Sequence, residues 1–280
     1  MMVTAKIGKK MDIGHILTYS VLFLGVLIFL FPFLWMILSS FKSNVECVLI
    51  PPTFFPAKWD VAGYERAFDR GVLIAYRNTF IVSFGTVFLQ LSSSAMAAYA
   101  FARLNFPGKN VLFLLILFTM MVPQNMTLVT KYKVVSALGL INTLPGVITA
   151  NCVSVSMTFF IRQSFKSFPN DLEDAAKIDG CSYVGIFLRI MLPLSTQILT
   201  ATGILLLLNA WNELLWPNIC ISSERFRVLS MFIALCKGQY VTDYGFLMAA
   251  SVLAVGPVIA IYIIFQKAFI GSIVMTGIKD

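Results

Sequence analysis

The sequence predicts an all-α membrane protein with six transmembrane helices and a polar loop between spans 4 and 5. Of its 280 residues 59% are hydrophobic and only 12% charged, with a mean hydropathy of +0.86. Soluble domains are near-half apolar and about a quarter charged. Six intervals lack Asp, Glu, Lys and Arg: 13–41, 78–102, 110–130, 134–161, 190–212 and 244–266, which run 29, 25, 21, 28, 23 and 23 residues, and no other exceeds 11. A hydrocarbon core about 30 Å thick needs roughly 20 apolar residues in a helix, so each long interval can span and no short one can. Runs such as Val111–Phe118 and Ile204–Leu208 are apolar at odd and even positions alike, which argues against the dyad alternation of a membrane β-barrel.

The chain reads as one transmembrane domain, 1–280, with spans at about 14–40, 78–102, 110–130, 143–161, 194–212 and 244–266 and a loop at 163–192. Lys6, Lys9 and Lys10 precede the first span as in a secretory signal. The apolar stretch is longer than a signal's and ends without a small-x-small cleavage pattern, so it is expected to remain as an anchor. After it, Pro51-Pro52 and Pro56 give an irregular lead-in, and Tyr64, Ala67 and Phe68 recur at helical spacing. A short amphipathic helix on the membrane surface is expected there, with Trp59 and Tyr64 in the interfacial belt. An even number of spans puts both termini on one side. Lys9, Lys10, Arg103, Lys109, Arg162, Lys166 and Lys267, close to span ends, make that side the cytoplasm, against Lys42, Arg77, Lys131 and Lys133.

Several function classes lack their residues. The net charge of +8 is scattered between spans and forms no basic stripe, so nucleic acid is not an expected partner. The single histidine, His15, cannot build a His-Glu-x-x-His site or pair with a nucleophile within the chain. Gly8-Lys9 is followed by Lys10 and Gly108-Lys109 by Asn110, so no glycine-rich loop ends in Gly-Lys-Ser/Thr and the chain does not hydrolyse ATP itself. No carboxylate lies within the six intervals, which removes the usual signature of proton coupling. Cys47, Cys152, Cys181, Cys220 and Cys236 are odd in number and irregularly spaced, and are expected as free thiols. From outside, Cys47 and Cys236 should react with an impermeant thiol reagent; Cys181 should react from inside.

Polar residues within spans include Ser93 and Ser94, each four residues before an alanine (Ala97, Ala98), a spacing that lets helices approach closely. The amides of Gln124, Asn125 and Asn209 are costly in lipid and are expected to face protein or a wet cavity, with path-lining and interhelical bonding as equal alternatives. Pro32, Pro123, Pro193 and Gly256-Pro257 allow kinks.

The loop between the fourth and fifth spans reads Phe168-Pro169-Asn170-Asp171-Leu172-Glu173-Asp174-Ala175-Ala176-Lys177-Ile178-Asp179-Gly180-Cys181-Ser182. Asn170 or Asp171 can cap a helix whose first turn carries Glu173 and Asp174, and Gly180 can end it in a left-handed conformation. Leu172, Ala175 and Ala176 offer a small, smooth face for a groove. A second helical piece is expected from Tyr183 to Met191, leading into Leu192-Pro193.

Asp174-Ala175-Ala176, three residues, Gly180, nine residues, Ile190, one residue and Leu192-Pro193 resemble the cytoplasmic loop signature of permease subunits in binding-protein-dependent ABC importers. Asp174 stands where that family usually has Glu, and Glu173 just before it also fits. Asn78-Thr79, Ala97-Ala98-Tyr99-Ala100-Phe101-Ala102-Arg103, Phe106-Pro107-Gly108-Lys109, Leu138-Gly139-Leu140-Ile141-Asn142-Thr143, Trp211-Asn212-Glu213-Leu214-Leu215-Trp216-Pro217 and Met248-Ala249-Ala250-Ser251 match the same pattern. Over about 13–280 the chain is similar to the carbohydrate branch, in particular the maltose-system-like second permease.

The resemblance implies a sugar or oligosaccharide importer subunit in a bacterial or archaeal cytoplasmic membrane, in contact with lipid. It implies a second homologous permease, a cytoplasmic ATPase pair and an external solute-binding protein. ATP and Mg would sit on the ATPase, with no cofactor on this chain and no metal site. Glu173, Asp174, Ala175, Ala176, Asp179 and Gly180 would form the coupling helix that docks on the ATPase. Lys237, Gly238, Gln239 and Tyr240 would be the tip of an outer loop reaching the binding protein. Glycerol phosphate and polyol importers share these motifs; an ion-coupled secondary transporter is the alternative from another class.

Overall fold

The computed structural model describes residues 13–237 and 242–277. Among them no strand occurs, so the fold is all-helical. The chain divides into two compact units, one of Met1–Arg70 with Cys236–Leu253 and one of Gly71–Leu235 with Ala254–Asp280.

In the first unit, α1 (Ile13–Ser39) is apolar around its whole circumference and exposed along most of its length, as a helix facing lipid must be. Beyond it the outer stretch folds on itself. Lys42 is buried, donates to the Thr53 carbonyl and lies 4.8 Å from the Trp35 ring. Glu46 Oε1 accepts from Thr53 Oγ1 and the Ala57 amide. The expected surface helix forms as α2 (Ala62–Asp69), but its inner face is packed. Tyr64 Oη shares a 2.7 Å hydrogen bond with Ser40 Oγ, Ala67 is fully buried, and a Cβ on Gly63 would come within 2.9 Å of the Gly245 carbonyl. Only glycine allows that approach. Arg66 pairs with Asp243 at 3.1 Å and Arg70 lies over Phe246. Trp59 remains exposed, edge-on to Phe41.

The second unit is built along α3 (Val72–Arg103), a 32-residue helix. It is followed by α4 (Lys109–Phe118), α5 (Leu128–Ala137), α6 (Leu144–Thr149), α7 (Val155–Ser167), α8 (Asp171–Ile178), α9 (Thr196–Asn212), α10 (Leu215–Cys220) and α11 (Leu229–Cys236). The last helix, α12 (Tyr244–Gly277), contains Pro257.

Among the described residues three helical stretches are long and apolar enough to cross a membrane: Leu17–Ser39, Val72–Arg103 and Tyr244–Ile264. Two bent pairs could each make one more crossing, Lys109–Met121 with Asn125–Ala137 at 92° and Tyr183–Leu194 with Thr196–Asn212 at 79°. Among the described residues the helices thus supply three to five candidate crossings beside the six expected from run length. Over 110–130 the chain bends at Val122-Pro123, where proline removes a helical N–H, and Lys131 and Lys133 fall inside the second arm. The expected span 143–161 is split into α6 and α7 by non-helical Ala150–Ser154.

That break is supported from α3. Ser93 Oγ donates to the Cys152 carbonyl at 2.7 Å and Ser94 Oγ to the Ser154 carbonyl at 3.0 Å. Ser154 then caps α7 by accepting from the Met157 amide. Ser93, expected as a mere packing residue, thus satisfies a carbonyl outside the helical ladder, while Ser94 adds a bond to the Ser154 carbonyl, which already accepts from the Thr158 amide at the start of α7. Ahead of α9, Phe187–Met191 is a π-turn, Pro193 follows, and the bend falls at Ser195, a combination that accounts for a sharp kink.

At the Val72 end of α3, Asn78 Nδ2 donates to the carbonyls of Arg225 and Arg227 at 2.9 and 2.8 Å, and Thr79 Oγ1 accepts from the Leu229 amide at 2.7 Å. Asn142, at φ +58°, accepts from both amides of Ser222 and Ser223 and from Ser223 Oγ. Asparagine tolerates that left-handed backbone better than other non-glycine residues. Together these side chains fix the segment from Ile221 to Leu229.

Candidate functional site

The loop helix α8 is only eight residues long, too short to persist in water by itself. Its order comes from both ends and one face. At its C-terminus the Gly180 amide donates to the Lys177 carbonyl and the Cys181 amide to the Ala176 carbonyl, with Gly180 at φ +79°. This is a Schellman closure, and Gly180 supplies its left-handed residue. At its N-terminus Asn170 occupies the capping position but makes no side-chain cap. Its carboxamide oxygen instead accepts from Arg103 Nη1.

Arg103, the last residue of α3, is the anchor of the loop. Its Nη2 donates to the Phe168 carbonyl at 2.7 Å and its Nε lies 3.1 Å from Glu173 Oε1, with both side chains almost completely buried. The Nε–Oε1 contact is ionic without being a well-aimed hydrogen bond, since neither atom has hydrogen-bond geometry to a partner. A charge pair removed from water this way contributes little net stability, yet either member left alone would be strongly destabilising. Below the pair, Ala176 packs with Ala98, Tyr99, Ile161, Phe165, Ile186 and Met191.

The burial pattern divides the expected residues. Glu173 and Ala176 face the body of the unit, whereas Asp174, Ala175, Asp179 and Gly180 are exposed. Ala176 is therefore not part of the outward face to which the sequence reading assigned it. In its place stands Ile178, 87% exposed, with Leu172. Asp174 Oδ1 holds Lys177 Nζ at 3.0 Å, and this bond raises the lysine pKa. The outer surface of α8 is an apolar ridge flanked by carboxylates of Asp171, Asp174 and Asp179.

Arg103 was legible in the sequence as a span-end charge and as the end of the matching segment Ala97–Arg103. Nothing in its spacing from Glu173, 70 residues on, signals the pairing.

The other expected positions are not gathered with α8. Gln124 and Asn125 belong to a 3-10 turn, Gln124–Thr127, between the arms of the bent third span, and Asn125 is exposed. Asn209 is exposed on α9. Lys237 is exposed after α11, and Gly238, Gln239 and Tyr240 lie outside the described residues. Among the described residues no group of three or more His, Cys, Asp or Glu side chains could hold a metal ion. Cys236 is buried, with its thiol pushed up to about 11 by desolvation, so it is not the accessible thiol that the sequence reading expected.

Residues 72–274 match the family model described as the binding-protein-dependent transport system inner membrane component. The chain belongs to this family. It is 35% identical over 257 residues to the arabinooligosaccharides transport system permease protein AraQ of Bacillus subtilis, covering 90% of this chain and 92% of that protein. It is 28% identical to the sn-glycerol-3-phosphate transport system permease protein UgpE of Rhizobium meliloti, over 96% of this chain and 99% of the other. A crystal structure of a bacterial ABC transporter involved in importing the acidic polysaccharide alginate contains a chain of the same fold, with a TM-score of 0.80 at 22% identity over 92% of this chain and 96% of that one. The protein is thus a membrane permease component of an ABC importer, and ATP hydrolysis belongs to a separate subunit.

Proposed function

We propose that this permease moves a sugar or oligosaccharide through a path it shares with a second, homologous permease, and that α8 couples the path to the ATPase. Both termini lie in the cytoplasm, and six crossings are made with the third, fourth and fifth broken. ATP and Mg act on the ATPase pair, while an external binding protein delivers solute to the outer loops. The sugar reading is supported by the arabinooligosaccharide permease among the relatives. The glycerol-phosphate permease supports a phosphorylated polyol as the second reading.

The observation that carries the coupling role is the two-sided construction of α8. Its inner face is bolted to the end of α3 through Arg103 and Glu173, and its outer face presents Leu172 and Ile178 among carboxylates. A ridge held this way transmits a push, because a buried ion pair and packed aromatics resist displacement more than a solvated loop does. Closure of the ATPase dimer on ATP would move α8, and Arg103 would carry that motion into α3 and the bent fifth span. Uptake into vesicles holding the complete importer tests the function. ATP-dependent uptake that survives collapse of the proton gradient is expected; uptake that follows the gradient and ignores ATP would refute it.

A further inference from the structure

Of the features outside α8, the break in the fourth span carries the most. The charge-free run of α3, 78–102, has Gln90 at its centre. Ser93 and Ser94, which hold the break, lie about 4.5–6 Å along the axis from that point. The non-helical segment Ala150–Ser154 therefore sits near mid-depth of the apolar layer. Irregular backbone at that depth is tolerated only where protein buries it or where it lines a water-filled path. Cys152 and Val153 are exposed in this chain.

A cation is held at the same place. Lys131 Nζ, on α5, donates to Asn151 Oδ1 at 2.6 Å and lies 4.5 Å from the centre of the Trp216 ring. Glu213 is near enough to act on this charge without forming an ion pair with it, and its Oε1 accepts from the amides of Leu215 and Trp216. Trp216 is 2% exposed and its Nε1–H has no acceptor. The cluster is thus rich in donors: an ammonium with two protons to spare, an orphaned indole N–H and the second proton of the Asn151 amide, whose nitrogen also donates to the Val147 carbonyl at 3.4 Å. An ammonium facing lipid is costly even on the mildest scales, so ionisable groups at this depth mark polar routes.

We propose that Lys131, Asn151 and the Ala150–Ser154 break form a wet, positively biased station on the solute path. It receives oxygen acceptors of the passing solute and favours an anionic group, such as a carboxylate, sulfonate or phosphate, over a neutral one. This rests on the permease reading above, since a station needs a path.

Cys152 is a native reporter beside it. The probes are two methanethiosulfonates, one bearing a sulfonate and one a quaternary ammonium, applied to the complete importer, with labelling followed at each cysteine by mass spectrometry. The sulfonate reagent is expected to label Cys152 faster. Lys131→Met should reduce the sulfonate-to-ammonium rate ratio about threefold or more, and Lys131→Arg should preserve it. If Cys152 reacts only with a lipid-soluble maleimide, or if Lys131→Met leaves the ratio unchanged, the station is refuted. Solute-stimulated ATP hydrolysis, measured on the same sample, separates the two claims. Coupled hydrolysis with an inert Cys152 removes the station alone, whereas wild-type hydrolysis that ignores solute counts against the permease reading.

Discussion

Arg103 Nε stands 3.1 Å from Glu173 Oε1, with both side chains almost fully out of water, so the last residue of one membrane helix is ionically tied to the first turn of the loop helix. The rest of the guanidinium reaches Phe168 and Asn170, at the entrance of the same turn. Three attachments to one side chain fix both the position and the tilt of α8.

Removing one member of this pair leaves a buried charge with no counter-ion. Arg103→Met or Glu173→Met should each destabilise α8 docking by about 3–5 kcal/mol. The double change Arg103→Met with Glu173→Met should recover much of that loss, because no charge remains buried. Protease sensitivity of the Phe168–Ser182 loop in the assembled importer measures this. A double variant as labile as the singles would show that the pair is not the anchor.

Gly180→Val places a β-branched residue at φ +79°, with about 1–2 kcal/mol of local strain. No heavy atom lies within 4 Å of the added Cβ, so the effect is one of backbone conformation, and Gly180→Asn should be milder than Gly180→Val. Solute-stimulated ATP hydrolysis and uptake should fall together while assembly with the partner permease persists. Normal uptake in Gly180→Val, measured by filter assay, would deny the helix its role.

At the Val72 end of α3, Asn78→Ala should release the carbonyls of Arg225 and Arg227 and cost about 1–3 kcal/mol. Hydrogen exchange should rise across 222–229 and stay unchanged in α8.

Thiol chemistry follows the burial of each cysteine. Desolvation raises the Cys236 thiol from its usual value of 9.0 to about 11, and burial also raises Cys47. Since the thiolate is the reactive form, both should label slowly at pH 8 and faster as pH rises, with Cys236 lagging Cys47 until pH approaches 11. For stability the sign is the opposite: the folded state favours the neutral thiol, so this contribution is present below pH 9 and is lost as pH climbs through the raised value. Maleimide labelling between pH 7 and 10 in intact protein checks the order.

Apolar run length and the turn chemistry of α8 were readable in the sequence because both are local. Charge-free intervals located the helical regions, and Gly180 with the acidic first turn marked the ends of α8. The breaks in the third and fourth spans were not readable from run length, which counts apolar residues whether or not the backbone stays helical. Ser93 and Ser94 looked like packing residues because the carbonyls they satisfy belong to residues about 60 positions away. Asn78-Thr79 and Asn142 stood out as parts of matching segments, but their hydrogen bonds reach a loop 80 to 150 residues on. Arg103 likewise stood out as a topology charge and as the end of a matching segment, but its partners lie 65 to 70 residues on.

The central claim is that the outer ridge of α8 meets the ATPase. Ile178 is the residue to ask, being 87% exposed at the crest of that ridge and outside the anchoring pair. A photo-crosslinking amino acid at position 178 in the complete, transporting importer should form an adduct with the ATPase subunit, with a yield that changes between nucleotide-free and ATP-bound states. An adduct with the external binding protein, or none with the ATPase while uptake proceeds normally, would contradict the account.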